Sequence, residues 1–204
     1  MLTTGGKITK RAFDIIACVT AGLVLCPLWL CIGLAVACGS KGGAFYRQTR
    51  VGRNGKEFKL LKFRTMRQDA DKIGGLITVG DDCRVTRIGR FLRKYKLDEL
   101  PQFLNIIKGD MSIVGPRPEV PKYVALYDER QRQVLSVRPG LTDYASIEYI
   151  SENELLAQSS NPDKTYIEEI MPAKLELNLK YIDNQSIMED LRLIFKTLLS
   201  IVKK

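Results

Sequence analysis

From Ile15 to Cys38 the chain runs through 24 residues without a charge. An unbroken helix of that length would extend about 36 Å, enough to cross a hydrocarbon core of about 30 Å. Two features oppose a simple crossing. Pro27 sits near the middle, where it removes a backbone donor and clashes with the preceding turn. Both flanks are also basic, with Lys7, Lys10 and Arg11 before the run and Lys41, Arg47, Arg50 and Arg53 after it. Basic flanks stay on the cytoplasmic side of a membrane, and one crossing cannot place both there. A helix broken at Cys26-Pro27, which dips into the bilayer and returns to the same face, can do so. The stretch therefore predicts a re-entrant helix–break–helix over residues 1–39. Three competing readings stay open at this point: a single span, a buried core helix, and a lipoprotein signal ending at Ala35-Val36-Ala37-Cys38. The last has an apolar run longer than the roughly 7–15 residues such signals use.

Composition narrows the chemistry. The 204 residues are 45% hydrophobic, which excludes a disordered chain, and contain no histidine. Ser-His-Asp and Cys-His catalysis and His-ligated zinc are thereby excluded. Four of the five cysteines lie in the apolar run, so they read as reduced thiols acting as small hydrophobes. Residues 1–110 hold 20 basic and 9 acidic residues, a net of +11, whereas 111–204 carry −2. The basic half attracts anions: nucleic acid, acidic lipid or phosphorylated small molecules.

Beyond the apolar run, Asn54-Gly55 between two aromatic and aliphatic segments predicts a β-hairpin with strands near 44–50 and 57–64. Residues 67–80, with Asp69-x-Asp71 and Gly74-Gly75, read as a solvated loop. Residues 84–96 read as a basic amphipathic helix with Val85, Ile88, Phe91, Leu92 and Tyr95 on one face. Asp98, Pro101 and Gly109 bracket a further helix, with Asp98 as its N-cap. Pro116, Pro118 and Pro121 force extended backbone around Arg117. Residues 122–135 look helical, 138–140 form a turn, and 151–165 read as surface loop and short helix. Two helices close the chain at 165–182 and 186–203. The last presents Ile187, Leu191, Ile194, Phe195, Leu198, Ile201 and Val202 near one face, suited to core packing or to a membrane interface.

GxxxxGK[ST] and GxGxxG are both absent, so bound phosphates must be held by Arg, Lys, helix ends and metal. Asp98 and Glu99 are adjacent carboxylates that can divide the labour of nucleophile and cation ligand. Lys62, Arg64, Arg93 and Arg117 are candidates for neutralising phosphoryl charge. A capping Asp beside an ordinary surface Glu explains the same dipeptide.

The order of motifs resembles the small monotopic phosphoglycosyl transferases of the bacterial sugar transferase family. It comprises the apolar segment with Pro27, KFRTM at 62–66, LDELPQ at 97–102, NIIKGDMSIVGPRP at 105–118, VRPGLT at 137–142 and YIDNQSIMEDLRLIFKT at 181–197. The resemblance implies transfer of a phospho-sugar from a UDP-sugar to polyprenyl phosphate (undecaprenyl phosphate), with release of UMP. The route would be ping-pong, through a covalent phosphosugar on Asp98, as the first membrane step of a glycoconjugate pathway. It implies Mg2+ at Asp98 and Glu99, and phosphate contacts from Lys62, Arg64, Arg93, Pro116, Arg117, Pro118 and Arg138. It places the hairpin break at Cys26-Pro27, where relatives often have Ser-Pro. The expected fold is mixed α/β, mostly α. A re-entrant membrane helix over 1–39 precedes a cytoplasmic catalytic domain over 40–204, built as a β-hairpin packed with several helices, some interfacial. The chain would sit on the cytoplasmic face of the bacterial inner membrane among membrane lipids, without a nucleic-acid partner; a homodimer is left open. Asp143 and Tyr144 stand where many relatives have Gly-Trp, and Asn178 stands where relatives carry Asp. Both departures fall where the resemblance implies sugar or nucleotide contacts, so they leave the identity of the sugar open. The competing class is a non-enzymatic basic protein of membrane surfaces or nucleic acid.

Overall fold

A computed structural model describes residues 3–73, 77–80 and 82–202. The architecture is mixed α/β and mostly helical, as the sequence predicts. Helix α1 (Thr4–Val24) is capped at its start by the Thr3 side chain, and α2 (Cys26–Gly39) carries Pro27 in its first turn. The two meet at Leu25 with a bend of 67°. Proline is accommodated there because the first turn of a helix needs no donor at that position. Among the described residues no single helix is long and apolar enough to cross a membrane, whereas this bent pair passes by length and composition.

Both legs dock on the rest of the chain through residues set back from the bend. On α1, Lys10, Asp14 and Cys18 recur every four residues and are buried. Lys10 Nζ donates to Asp190 Oδ2 at 2.5 Å and to the Val114 carbonyl at 3.1 Å, and the Ile113 amide donates to Asp14 at 3.2 Å. Arg11 donates to the Ile107 and Met111 carbonyls. Cys18 packs with Leu60, Ile106 and Met111. On α2, Ile32 and Val36 pack with Phe63 and Leu92, and Leu97 and Leu100 lean on the same cluster. The bend itself stays uncovered, with Leu23 and Val24 each 73% exposed. All five cysteines are free, and Cys18 alone is buried.

Strands β1 (Phe45–Val51) and β2 (Glu57–Phe63) pair antiparallel around the expected turn, where Asn54 (φ 59) and Gly55 (φ 76) adopt the left-handed conformation. The free edge of β2 is satisfied by one side chain: Asn105 accepts from the Leu61 amide and donates to the Lys59 carbonyl, each at 2.9 Å. The 67–80 segment contains a short helix, α3 (Ala70–Ile73), while Gly74 and Gly75 lie outside the described residues. Helix α4 (Arg87–Lys94) is shorter than the basic pattern suggests, and it buries Gly89 and Leu92 while Phe91 faces out. Gly89 is required: a Cβ there would lie 2.0 Å from the Thr65 carbonyl oxygen.

The Asp98 N-cap expectation is corrected. Residues Leu97–Glu99 form a 3-10 turn, and α5 (Gln102–Lys108) starts three residues later behind Pro101, ending as expected at Gly109 (φ 103). A parallel pair, β3 (Ser112–Val114) with β4 (Gly140–Thr142), replaces the simple turn read at 138–140. The backbones approach so closely that a Cβ on Gly140 would meet the Gly115 amide at 2.1 Å. Helix α6 (Pro121–Val124) and a 3-10 segment, Gln131–Ser136, occupy the region read as one helix.

The remaining helices are α7 (Tyr144–Glu148), α8 (Glu152–Ala157), α9 (Pro162–Thr165), α10 (Met171–Asp183) and α11 (Ile187–Val202), with a π-helical turn at Tyr166–Ile170 leading into α10. They enclose the main core of Val114, Tyr123, Leu156, Leu175, Tyr181 and Leu193. Burying a Leu such as Leu156 stabilises by about 2 kcal/mol. Of the apolar face expected on the last helix, Leu191, Phe195, Leu198 and Val202 are exposed; the buried side chain is Leu193, which lies outside that set.

Candidate active site

The dyad sits where four elements meet. Lys96 (φ 57) turns the chain out of α4 in a left-handed conformation unusual for a side chain bearing a Cβ. That turn delivers Asp98 and Glu99 to the base of a cleft of about 560 Å³. Leu97 and Leu100, on either side of the dyad, are packed against the cluster containing α2 residues Ile32 and Val36. The carboxylates are thereby held against one leg of the bent helix pair.

Glu99 is pinned from two sides. Lys62 on β2 donates to Oε1 at 2.9 Å, and Arg117 engages the same oxygen through Nη2 and Oε2 through Nη1 at 3.4 Å. No hydrogen bond from a described residue reaches the Asp98 carboxylate, although Asp98 is only 6% exposed. Burial pushes the Asp98 carboxyl up, opposed by Lys62. Burial also acts to raise Glu99, but Arg117 and Lys62 outweigh it and hold that carboxyl well below the usual range. Burial lowers Lys62, with Glu99 opposing, while Glu99 pulls Arg117 further up. The pair is thus asymmetric: Glu99 is a fixed anion with both oxygens used, and Asp98 has its oxygens unengaged.

Cations ring the cleft. Arg93 is placed by the close α4 approach at Gly89; its Nε donates to Thr65 Oγ1 at 2.9 Å, and Nη1 to Thr78 Oγ1 at 3.4 Å. Arg117 is held by its backbone as well, since its amide donates to Asp143 Oδ2 at 3.2 Å. The other oxygen of Asp143 accepts from the Ser146 amide at 2.7 Å and caps α7. Asp143 drew notice in the sequence only as a departure; completely buried, it fixes the arginine beside the dyad. Tyr144, its neighbour, hydrogen-bonds Glu189.

Of the residues picked from sequence, Lys62, Arg64, Arg93, Asp98, Glu99, Arg117 and Pro118 line this one cleft. The Arg64 guanidinium is engaged at its rim with the Lys41 and Phe45 carbonyls. Pro116 lies behind the cleft, its carbonyl accepting from the Gly140 amide. Arg138 points elsewhere, donating to the Gly109 carbonyl at 3.0 Å. Cys26 and Pro27 are at the bend between α1 and α2. Sequence reasoning passed over Thr65 and a far wall in which Glu119 binds Arg50 and Tyr166, and Tyr123 binds Asp163.

Among the described residues no three His, Cys, Asp or Glu side chains are grouped to hold a metal by themselves. Two adjacent carboxylates, one of them unengaged, fit a Mg2+ ion that keeps waters and shares phosphate oxygens of a substrate.

Such a cleft, with a buried unengaged carboxylate among four cations, suits a group-transfer enzyme acting on a phosphorylated substrate. The family described as bacterial sugar transferase matches residues 5–204, and the chain belongs to it. The exopolysaccharide production protein ExoY of Sinorhizobium fredii is 38% identical over 208 residues, covering 95% of this chain and 85% of that protein. The UDP-N-acetylgalactosamine-undecaprenyl-phosphate N-acetylgalactosaminephosphotransferase of Aeromonas hydrophila is 35% identical over 95% of this chain. The UDP-glucose:undecaprenyl-phosphate glucose-1-phosphate transferase of Escherichia coli is 37% identical over 94%. The chain spans 43% and 39% of the lengths of those last two relatives.

Proposed function

We propose that this transferase moves a phospho-sugar from a UDP-sugar to polyprenyl phosphate at the cytoplasmic face of a bacterial membrane, releasing UMP, in a polysaccharide pathway. The observation that carries the reading is the asymmetric dyad: Asp98 unengaged beside a Glu99 held by Lys62 and Arg117.

Asp98 attacks the phosphorus that bears the sugar. A carboxylate–phosphorus bond forms, the diphosphate bridge breaks, and UMP leaves with the bridging oxygen. A phosphate oxygen of the polyprenyl acceptor then attacks the same phosphorus and frees Asp98. Arg117 and Arg93 face the charge spread over the phosphoryl oxygens. Glu99 keeps Lys62 and Arg117 in place; with Asp98 it would hold Mg2+, which supplies further charge neutralisation when bound.

The acceptor stays in the bilayer, so the nucleophile must lie at interface depth. The docking of both legs away from the bend, and the uncovered apolar bend itself, support a re-entrant hairpin that enters and leaves on one face. The exposed Phe195 and Leu198 of α11 and Leu104 of α5 support contact with the membrane surface.

The test incubates membranes containing the chain with UDP-sugars, Mg2+ and undecaprenyl phosphate. UMP release and a phosphosugar adduct are expected, and both are lost in Asp98→Asn; an active Asp98→Asn chain refutes the nucleophile. Cysteines introduced at Gly5 and Ser40 should both be labelled from the cytoplasmic side, and labelling of either from the opposite side alone refutes the hairpin.

A further inference from the structure

The cleft continues past the dyad to a wall formed by α7, α8 and α10, where Ser146, Tyr149, Lys174 and Asn178 line it. Two side-chain atoms of that wall, Asn178 Oδ1 and Ser146 Oγ, are buried without a hydrogen-bond partner. Asn178 is 4% exposed. Folded proteins rarely leave such atoms unmatched, and an exception calls for a cause. The other such atoms among the described residues, on Trp29 and Gln102, do not line the cleft. Apart from the Asp98 carboxylate, the polar groups around the dyad are matched: Glu99 by Lys62 and Arg117, Asp143 by two amides, Arg93 by Thr65. Beyond the dyad, the unmatched oxygens therefore lie together on one wall of the substrate cleft.

Their position says which part of a substrate they would meet. Asp143 joins the Arg117 amide to the Ser146 amide through bonds of 3.2 and 2.7 Å, so Ser146 stands one carboxylate away from the arginine paired with Glu99. On the function proposed above, on which this argument rests, the phosphorus attacked by Asp98 carries the sugar directly. The uracil is separated from it by a ribose and a second phosphate. An amide oxygen accepts, and a hydroxyl accepts or donates. A sugar offers hydroxyl and amide N–H donors to both.

We infer that Asn178 and Ser146 form the sugar-recognising end of the cleft, with Asn178 Oδ1 accepting from a hydroxyl or amide N–H of the donor sugar. A site built to hydrogen-bond such a group discriminates strongly against a sugar that lacks it or points it elsewhere, because the buried atom is then left unpaired. The same reasoning gives the inference an unusual signature. In the free protein Asn178 Oδ1 makes no bond, so replacing it with an apolar side chain of similar size removes an unmatched acceptor and no contact.

The experiment compares wild type, Asn178→Leu and Ser146→Ala as full chains in membranes. It measures kcat/KM for UDP-glucose, UDP-galactose and their N-acetylated forms, inhibition by UMP, and the melting temperature. In Asn178→Leu, kcat/KM for the preferred sugar should fall about tenfold or more, narrowing the spread across the panel, while UMP inhibition is unchanged and melting is unchanged or higher. Ser146→Ala should move the sugar ranking in the same direction. Unchanged kcat/KM and ranking in both variants overturn the inference. So does a parallel loss of UMP inhibition, which assigns the wall to the nucleoside, or a fall in melting temperature with the ranking intact, which makes Asn178 structural. A wild-type chain that releases no UMP from any UDP-sugar overturns the function beneath the inference as well.

Discussion

The α1–α2 bend and the dyad cleft invert the usual partition of residues in opposite senses. At the bend, Leu23, Val24 and Leu30 are out in the open; in the cleft, Asp98, Glu99 and Lys62 are buried or nearly so. Large exposed apolar groups and buried charges are each costly unless something covers or pairs them. Among the described residues nothing covers the bend, whereas the cleft's dyad is paired internally at Glu99 and open at Asp98. The two regions thus differ in what they lack: the first is suited to a hydrocarbon phase, the second to an anion and a cation. Their shared wall, α2 against Leu97 and Leu100, joins both requirements in one body.

Predictions that separate the two regions follow from this contrast. The largest effect belongs to Asp98→Asn, which should bring UMP release to background and abolish the adduct, while membrane binding in a flotation assay is unchanged. Next, Arg117→Met should lower kcat/KM about 10²–10³-fold. It should also destabilise the chain by about 3 kcal/mol, the low end for breaking a buried pair, because Lys62 still faces Glu99; kinetics and denaturant melts check both. At the bend, Val24→Arg should weaken membrane partition about a hundredfold while the melting of detergent-solubilised protein holds. A loss of turnover in detergent would show that the two regions are coupled more tightly than α2 packing implies.

The smallest effect is on acid stability. Glu99 is held well below its ordinary value of 4.5, so its contribution is fully present above that value and is lost as pH falls through the depressed one. The stability difference between wild type and Glu99→Gln should therefore be constant from about pH 5 to 8 and shrink in stronger acid, as melts across that range would record.

The parts of the fold legible in the sequence rest on local rules. Asn54-Gly55 located the hairpin to within a residue at either strand, Gly109 located the end of α5, and Pro27 located the break. What escaped depends on contacts far apart in the chain. The β3–β4 pairing joins segments separated by α6 and the 3-10 segment Gln131–Ser136, and no local period announces a parallel pair of three residues each. Lys10 and Arg11 read as a cytoplasmic flank but are pinned to the domain, because their partners at 107, 111, 114 and 190 are invisible to a window of ten residues. Asp98 has the composition of an N-cap, yet Lys96 and Pro101 divert the chain into a 3-10 turn first. For the site, residue types pointed to the dyad and its cations. Asp143 and Thr65 act by holding Arg117 and Arg93, and positioning of that kind leaves no signature in residue type.

The ion pair between Lys10 and Asp190 bridges 180 residues, and that span has a consequence for biogenesis. At synthesis rates of about 5–20 residues per second, the second partner emerges roughly 10–40 s after the first. The α1 helix thus meets the membrane well before its anchor exists. Val114, whose carbonyl accepts from both Lys10 and Tyr181, lies three residues before Arg117, so the segment carrying that arginine is completed late in synthesis. A ribosome-bound chain arrested near residue 185 should leave this segment open to protease and become resistant once α11 is released.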